Sequence, residues 1–302
     1  MLSIYVPVYN HEAYIAQALD SILMQKVNFK YEVLVGDDVS TDNTRAILES
    51  YQKAHPDVFT MFYRDHNMYR EPINNGRDLL SRCKGKYIIP LEGDDFWTDE
   101  LKLQKQVDFL EAHPEYQAVA HNCVVVGADS QPIDEAYPEC KDTEYTLDHY
   151  AFDIMPGQSA TVMCRNFVTQ NLYDTSFMDL NLVPGDRRKY FTLVANGRVY
   201  CMQEVMSAYR HITSGGSSFS ANHQFNYPHL YKWHVEQLKY ARTLSNKKAV
   251  PCAEMLLLMT VFYGFRKHYV SFSQALKDIK ILKRPFAAFL FLLRRWSKKL
   301  LG

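Results

Sequence analysis

Two stretches of the chain place carboxylates where an apolar run stops. GDDVSTDNT (36–44) follows YEVLV, and LEGDD (91–95) follows KYIIP. Adjacent carboxylates repel, and beside a core they also lose hydration, so a compensating group is expected. For Asp94 and Asp95 that group is a hard divalent cation, Mg2+ or Mn2+, held against a diphosphate; the alternative is simple exposure in a turn. Such a cation would also stabilise charge on a departing phosphate. At the other stretch, Asp37 or Asp38 can accept a hydrogen bond from a base N–H. Ser40, Thr41 and Asp42 read more plainly, as an Asx or Ser/Thr turn that caps the next helix. A calcium loop is the rival explanation, but the alternating carboxylates, central Gly and terminal Glu of an EF-hand are missing.

These groups need a scaffold, and the first third of the chain supplies one. Short runs rich in β-branched residues, SIYVPV (3–8), YEVLV (31–35), TMFYR (60–64) and KYIIPL (86–91), alternate with segments of helical period. That alternation predicts βαβ units and a mostly parallel sheet. A first helix is expected from about Glu12 to Met24, entered near Asn10 or His11, and a second after Ser40 or Thr41. Ligands of open α/β sheets bind outside the carboxyl ends of the strands, and Asn10, Asp37, Asp38, Asp94 and Asp95 fall at such ends. A further helix is expected over about 99–113, followed by the strand AVAHNCVVV (118–126).

The chain of 302 residues is long enough for one large domain or a domain with an appendage. Its 34 basic and 34 acidic residues cancel, so no global field recruits nucleic acid and charge-driven binding must be local. Six widely spaced cysteines form neither CxxC pairs nor a dense scaffold, and free thiols in a reducing compartment are expected. No basic-then-apolar leader is read after Met1, which points to the cytosol.

In order and spacing, VPVYNHEAYIAQALDSIL, YEVLVGDDVSTDNT and CKGKYIIPLEGDDFWTDELKLQKQVDFLE resemble the GT-A glycosyltransferases of family 2, inverting enzymes that use nucleotide sugars. The resemblance covers roughly residues 2–130 and extends more loosely to about 215. It implies a GT-A, Rossmann-like fold, with Pro7, Tyr9, Glu12 and Asp38 lining a pocket for the nucleoside, usually uridine. LEGDD becomes the DxD element, with Asp95 as metal ligand and Asp94 nearer the donor sugar. Asn75 matches the Asn of the family's "RN" element, although Asn74 stands where the Arg would be. VPGDRRKYF looks like the acceptor side, making Asp186 the catalytic base; its plainer reading is a helix N-cap. Arg210 and His211 resemble a Tyr-Arg-x-His element that approaches the diphosphate and metal, here without the intervening residue.

The implied organisation is a glycosyltransferase domain over 1–221, with its nucleotide-binding part in about 1–130, followed by a helical region over 222–302. The implied partners are a UDP-sugar donor and a saccharide or lipid-linked saccharide acceptor, in surface polysaccharide synthesis. FAAFLFLL (286–293) is too short to span a bilayer. Lys277, Lys280, Lys283, Arg284, Arg294, Arg295, Lys298 and Lys299 surround it, so the segment either lies on an anionic membrane or packs on protein. Two other activities are alternatives to this reading. A nucleotidyltransferase would carry a Gly-rich loop after its first strand, which VPVYNHEAY lacks, and a non-catalytic sugar-nucleotide or polysaccharide-binding module would not need a base.

Overall fold

The apolar runs of the first third form β1 (Leu2–Val8), β2 (Tyr31–Asp37), β3 (Phe59–Tyr63) and β4 (Tyr87–Pro90). They are parallel in the order β3-β2-β1-β4. Helices α1 (Ile15–Leu23), α2 (Thr44–Ala54) and α3 (Asn75–Arg82) make the crossovers. On α1, Ile15, Leu19 and Ile22 are fully buried against the sheet. Burial of each such side chain contributes about 1.5–3 kcal/mol. The two-residue strand β5 (Phe96–Trp97) precedes α4 (Lys102–Ala112), and the long strand β6 (Tyr116–Val126) follows it. β7 (Glu144–Tyr145), β8 (Met163–Arg165) and β9 (Arg198–Arg210) complete a sheet of nine strands among the described residues. Beyond β4 this sheet is mixed: β8 runs antiparallel between β4 and β6, while β9 pairs parallel with β6 and antiparallel with β5.

The computed structural model describes residues 1–69, 71, 73–169, 177, 185–212, 226–283, 285–286, 288–290 and 293. The chain falls into two units. One takes Met1–Tyr145, Met155–Thr175 and Arg198–His223; the other takes Thr146–Ile154, Ser176–Gly197 and Gln224–Gly302. The helical region expected over 222–302 is therefore one of three segments of the second unit. This unit contains α5 (Leu147–Ala151), α6 (Gly185–Asn196), α7 (Tyr227–Thr243), α8 (Ala249–Arg266) and α9 (Phe272–Ile279). Its centre is aromatic: Phe177 stacks on Trp233 at 4.5 Å and on Tyr240 at 4.7 Å between ring centroids. The buried amide of Gln237 donates to the Tyr150 hydroxyl at 3.0 Å. All six cysteines are buried, and none is joined in a disulfide.

Two helix starts differ from expectation for one reason. α1 begins at Ile15 and not near Glu12, and α2 begins at Thr44 with neither Ser40 nor Thr41 capping it. The residues expected as caps instead join the loops after β1 and β2. Asn10 N donates to Ser40 Oγ (2.9 Å), His11 N to Thr44 Oγ1 (2.8 Å) and Glu12 N to Asp42 Oδ2 (3.1 Å). Thr41 N and Asn43 N return bonds to Asn10 Oδ1 and Glu12 Oε2, each at 2.8 Å. Cross-loop bonds thus use the donors and acceptors that local capping would have used.

Candidate active site

β1 lies between β2 and β4, so the carboxyl ends of β2 and β4 flank it and the two acidic stretches emerge on one edge of the parallel sheet. Asp37 ends β2, opposite Val8, and Asp38 N donates to Val8 O at 2.9 Å. Both carboxylates are buried. Asp37 Oδ1 accepts from Ser40 N at 3.2 Å, and its Oδ2 is buried with no partner among the described residues. Asp38 Oδ1 accepts from Met68 N at 2.7 Å. Burial holds the Asp38 carboxyl above its ordinary range, opposed by the Met68 N–H and the charge of Arg64. Asn10 and Val39, beside these strand ends, adopt φ of 54° and 64°. For a β-branched residue such as Val39 that region is sterically costly and persists only where surrounding bonds impose it.

Asp94 and Asp95 are brought in by β5. Phe96 pairs antiparallel with Ala208, which sets the turn before it beside the end of β9. Asp95, only 2% exposed, accepts from Arg210 N through Oδ1 and from Gln158 Nε2 through Oδ2, both at 2.7 Å. Burial, and then the charges of Asp94 and Glu92, push its carboxyl well above the ordinary range; the Arg210 N–H opposes this. Asp94 is less buried, with Oδ2 3.9 Å from His11 Nε2.

Arg210 stands beside the acidic pair, but its side chain is turned to the protein. Nε donates to Asp94 O (2.8 Å), Nη1 to Gly127 O (2.8 Å) and Ala128 O (3.3 Å), and Nη2 to Gln17 Oε1 (2.8 Å) and Ser130 Oγ (3.1 Å). All five guanidinium donors are engaged, and the ring of Tyr14 lies 4.1 Å beneath. The residue expected to approach a diphosphate therefore acts as a clasp. His211 continues the strand direction, with N donating to Val126 O at 3.0 Å and Nδ1 2.5 Å from Glu135 Oε2.

Asn75 also faces inward, where Nδ2 donates to Gly36 O (2.7 Å) and Oδ1 accepts from Arg64 Nε (3.0 Å). Asn74, in place of the expected Arg, caps α3 by accepting from Arg77 N at 3.1 Å. Pro7 lies in β1 opposite Gly36, and Tyr9 is exposed just beyond it. Glu12 spends one carboxylate oxygen on the inter-loop bond to Asn43. In the second unit, Asp186 lies in the first turn of α6, half-buried, with Oδ1 accepting from Arg187 N at 2.7 Å. Burial raises its carboxyl, against the pull of that N–H and of the Arg187 and Lys189 charges. Val183 and Pro184, read with Asp186 as one element, lie outside the described residues.

Gln158, Gln17 and Ser130 were not singled out by sequence. They fix Asp95 and Arg210 from loops and from α1, and a neutral amide or hydroxyl carries no pattern that marks such a role. His11 was read only as a helix start, and its packing against Asp94 arises through Gly93, where any Cβ would strike His11 Nδ1.

Among the described residues no three His, Cys, Asp or Glu side chains converge on a cation. Asp94 and Asp95 nevertheless supply hard oxygens, and a carboxylate as disfavoured in its charged form as Asp95 gains from a nearby cation. The residues fit a divalent ion completed by oxygens of a bound diphosphate.

A family model described as Glycosyl transferase family 2 matches residues 3–167. The uncharacterized protein Rv1520 of Mycobacterium tuberculosis is 33% identical over 213 residues, covering 68% of this chain and 58% of its own length. Bacillus subtilis TuaG, named a putative teichuronic acid biosynthesis glycosyltransferase, is 32% identical over 110 residues, 36% of this chain and 42% of TuaG. The chain thus spans little more than half of the first relative. The crystal structure of S. aureus TarS 1–349 in complex with UDP-GlcNAc has the same fold, with a TM-score of 0.64 at 18% identity over 88% of this chain and 72% of that one.

Proposed function

Since the chain belongs to glycosyl transferase family 2, we propose that it moves a sugar from a nucleotide donor, a UDP-sugar in the first instance, to a hydroxyl of a saccharide or lipid-linked saccharide. One observation carries this reading: two acidic pairs, the buried Asp37–Asp38 and the partly buried Asp94–Asp95, stand at strand ends on either side of β1. Asp37 Oδ2, without a partner among the described residues, can accept from a base N–H. The UDP-GlcNAc of the TarS complex supports a uridine nucleotide, and the naming of TuaG supports a surface polysaccharide as product.

Asp94 and Asp95 would hold Mn2+ or Mg2+, which when bound neutralises the diphosphate leaving group. Pro7 and Tyr9 would border the nucleoside, while Glu12, Asn75 and Arg210 serve it indirectly by bracing the loops that form its walls. The acceptor hydroxyl forms the new C–O bond at the anomeric carbon as the bond to the diphosphate oxygen breaks on the opposite face. Asp186 would take the hydroxyl proton, a role its raised carboxyl suits. The six buried thiols fit a reducing, cytoplasmic location.

The experiment is release of nucleoside diphosphate from a panel of UDP-, GDP- and CDP-sugars by purified protein, with Mn2+ or with chelator and with an oligosaccharide acceptor mixture. Metal-dependent release from one donor is expected. Release from none, together with no thermal shift on adding any of the three nucleoside diphosphates, would overturn the proposal.

A further inference from the structure

The charge of this chain is zero overall but not locally. From Met255 to Gly302 there are ten Lys and Arg residues and one acid, Asp278, a net of +9. Asp278 is buried and accepts from Gln274 Nε2 at 2.8 Å, so it does not offset the surface cations. Arg266, Lys267, Lys277, Lys280 and Lys283 are all exposed.

The same region exposes large apolar side chains. Of the 17 such exposed residues among those described, nine fall between Phe262 and Leu293. On α8, Phe262 and Phe265 stand one turn apart at 52% and 41% exposure; on α9, Phe272 and Leu276 stand one turn apart at 63% and 48%. The Phe265 and Phe272 rings meet at 5.7 Å between centroids, which joins the two pairs into one face. This face turns away from the packing of its own helices: α8 buries Leu256, Leu257 and Val261, and α9 buries Ala275 and Asp278.

We infer that this face of α8 and α9 seats on an anionic lipid bilayer, with Phe262, Phe265, Phe272 and Leu276 in the headgroup–acyl boundary and the flanking cations against anionic headgroups. An apolar face edged by Lys and Arg and free of exposed carboxylates is what such a surface requires. Aliphatic Leu276, Leu290 and Leu293 favour acyl chains over nucleobases, which are held by aromatic stacking. α8 is long and apolar enough to cross a membrane, yet 56% of it is buried in the protein. Its Glu254 is fully buried, lying 3.5 Å from Arg242 Nη2 and accepting from Lys283 N at 2.8 Å, which marks α8 as a core helix. The face therefore lies on the surface of the bilayer. This reading stands apart from the proposed transfer reaction, and its test reads binding alone.

The test is co-sedimentation of the full chain with sucrose-loaded vesicles, either neutral phosphatidylcholine or phosphatidylcholine with phosphatidylglycerol, at low and high salt. Binding to the anionic vesicles that weakens with salt is expected. Lys277→Glu/Lys280→Glu should weaken it by about fivefold or more for each charge lost. Phe265→Ser/Phe272→Ser should weaken it at least about tenfold, with an unchanged melting temperature because both rings are exposed. Equal binding to neutral and anionic vesicles, or variants that bind like the parent, would overturn the inference. So would a dimer seen by light scattering that Phe265→Ser/Phe272→Ser dissolves, or displacement from vesicles by single-stranded RNA, because the face would then belong to a second copy or to nucleic acid.

Discussion

Arg210 holds Asp95 by its main chain, N to Oδ1 at 2.7 Å, while its guanidinium secures the carbonyl of Asp94 and three other parts of the first unit. Each of the two contacts to the acidic pair thus joins a side-chain atom of one residue to a backbone atom of the other. A lysine would keep the charge but lose the planar five-donor fork, so Arg210→Lys should loosen the Asp94–Asp95 turn. Donor turnover should fall about 10–100-fold, the usual cost of losing a group that orients a metal ligand. Steady-state donor hydrolysis checks this, and turnover equal to the parent would remove the clasp from the mechanism.

Asp95→Asn tests the acidic pair itself. The new amide can accept from Arg210 N or from Gln158 Nε2, but its –NH2 must then face the other donor. Gln158 cannot simply turn over, because its Oε1 accepts from Ala160 N at 2.7 Å. A thermal melt should show a loss of about 1–3 kcal/mol from the mispaired donors. Calorimetric titration with UDP should lose the enhancement given by Mn2+, and an enhancement that persists would assign the cation elsewhere.

For Asp186→Asn, kcat should fall by about 10²–10⁴ while UDP affinity is unchanged. The folded carboxyl titrates above its unfolded value, so the folded state binds the extra proton between the two. The charged form therefore costs stability that develops as pH rises through that window. The variant should melt higher than the parent at neutral pH, with the difference fading below the ordinary carboxyl range. Because a general base works unprotonated, parental kcat should rise along an acid limb displaced upward if Asp186 has the proposed role, and the residual rate of Asp186→Asn should lack that limb.

Gly36→Ala addresses the brace under Asp37. A Cβ at residue 36 would press into Asn75 Oδ1 and meet Leu79 Cδ1 at 3.0 Å. Asn75 would have to give up Gly36 O or Arg64, at a cost of about 1–3 kcal/mol. Chemical denaturation should show that loss, and a neutral result would mean that α3 shifts freely.

The N-terminal half was legible because its signals are local. β-branched runs, apolar periodicity on α1 and acidic stretches at strand ends determined β1 to β4, their crossovers and the edge where Asp37, Asp38, Asp94 and Asp95 gather. What only the tertiary structure decided is where the polar side chains of that edge point. Arg210 is more than a hundred residues from Asp95, and β5 joins them through a two-residue pairing too short to leave a pattern. Asn10, Ser40 and Thr41 look like caps in sequence and become cross-loop bonds, because a hydroxyl or amide oxygen accepts from whichever N–H the fold brings near. Spacing along the chain fixes the period of burial. It does not fix the partner of a buried donor, which depends on the whole set of neighbours that the sheet and its loops assemble.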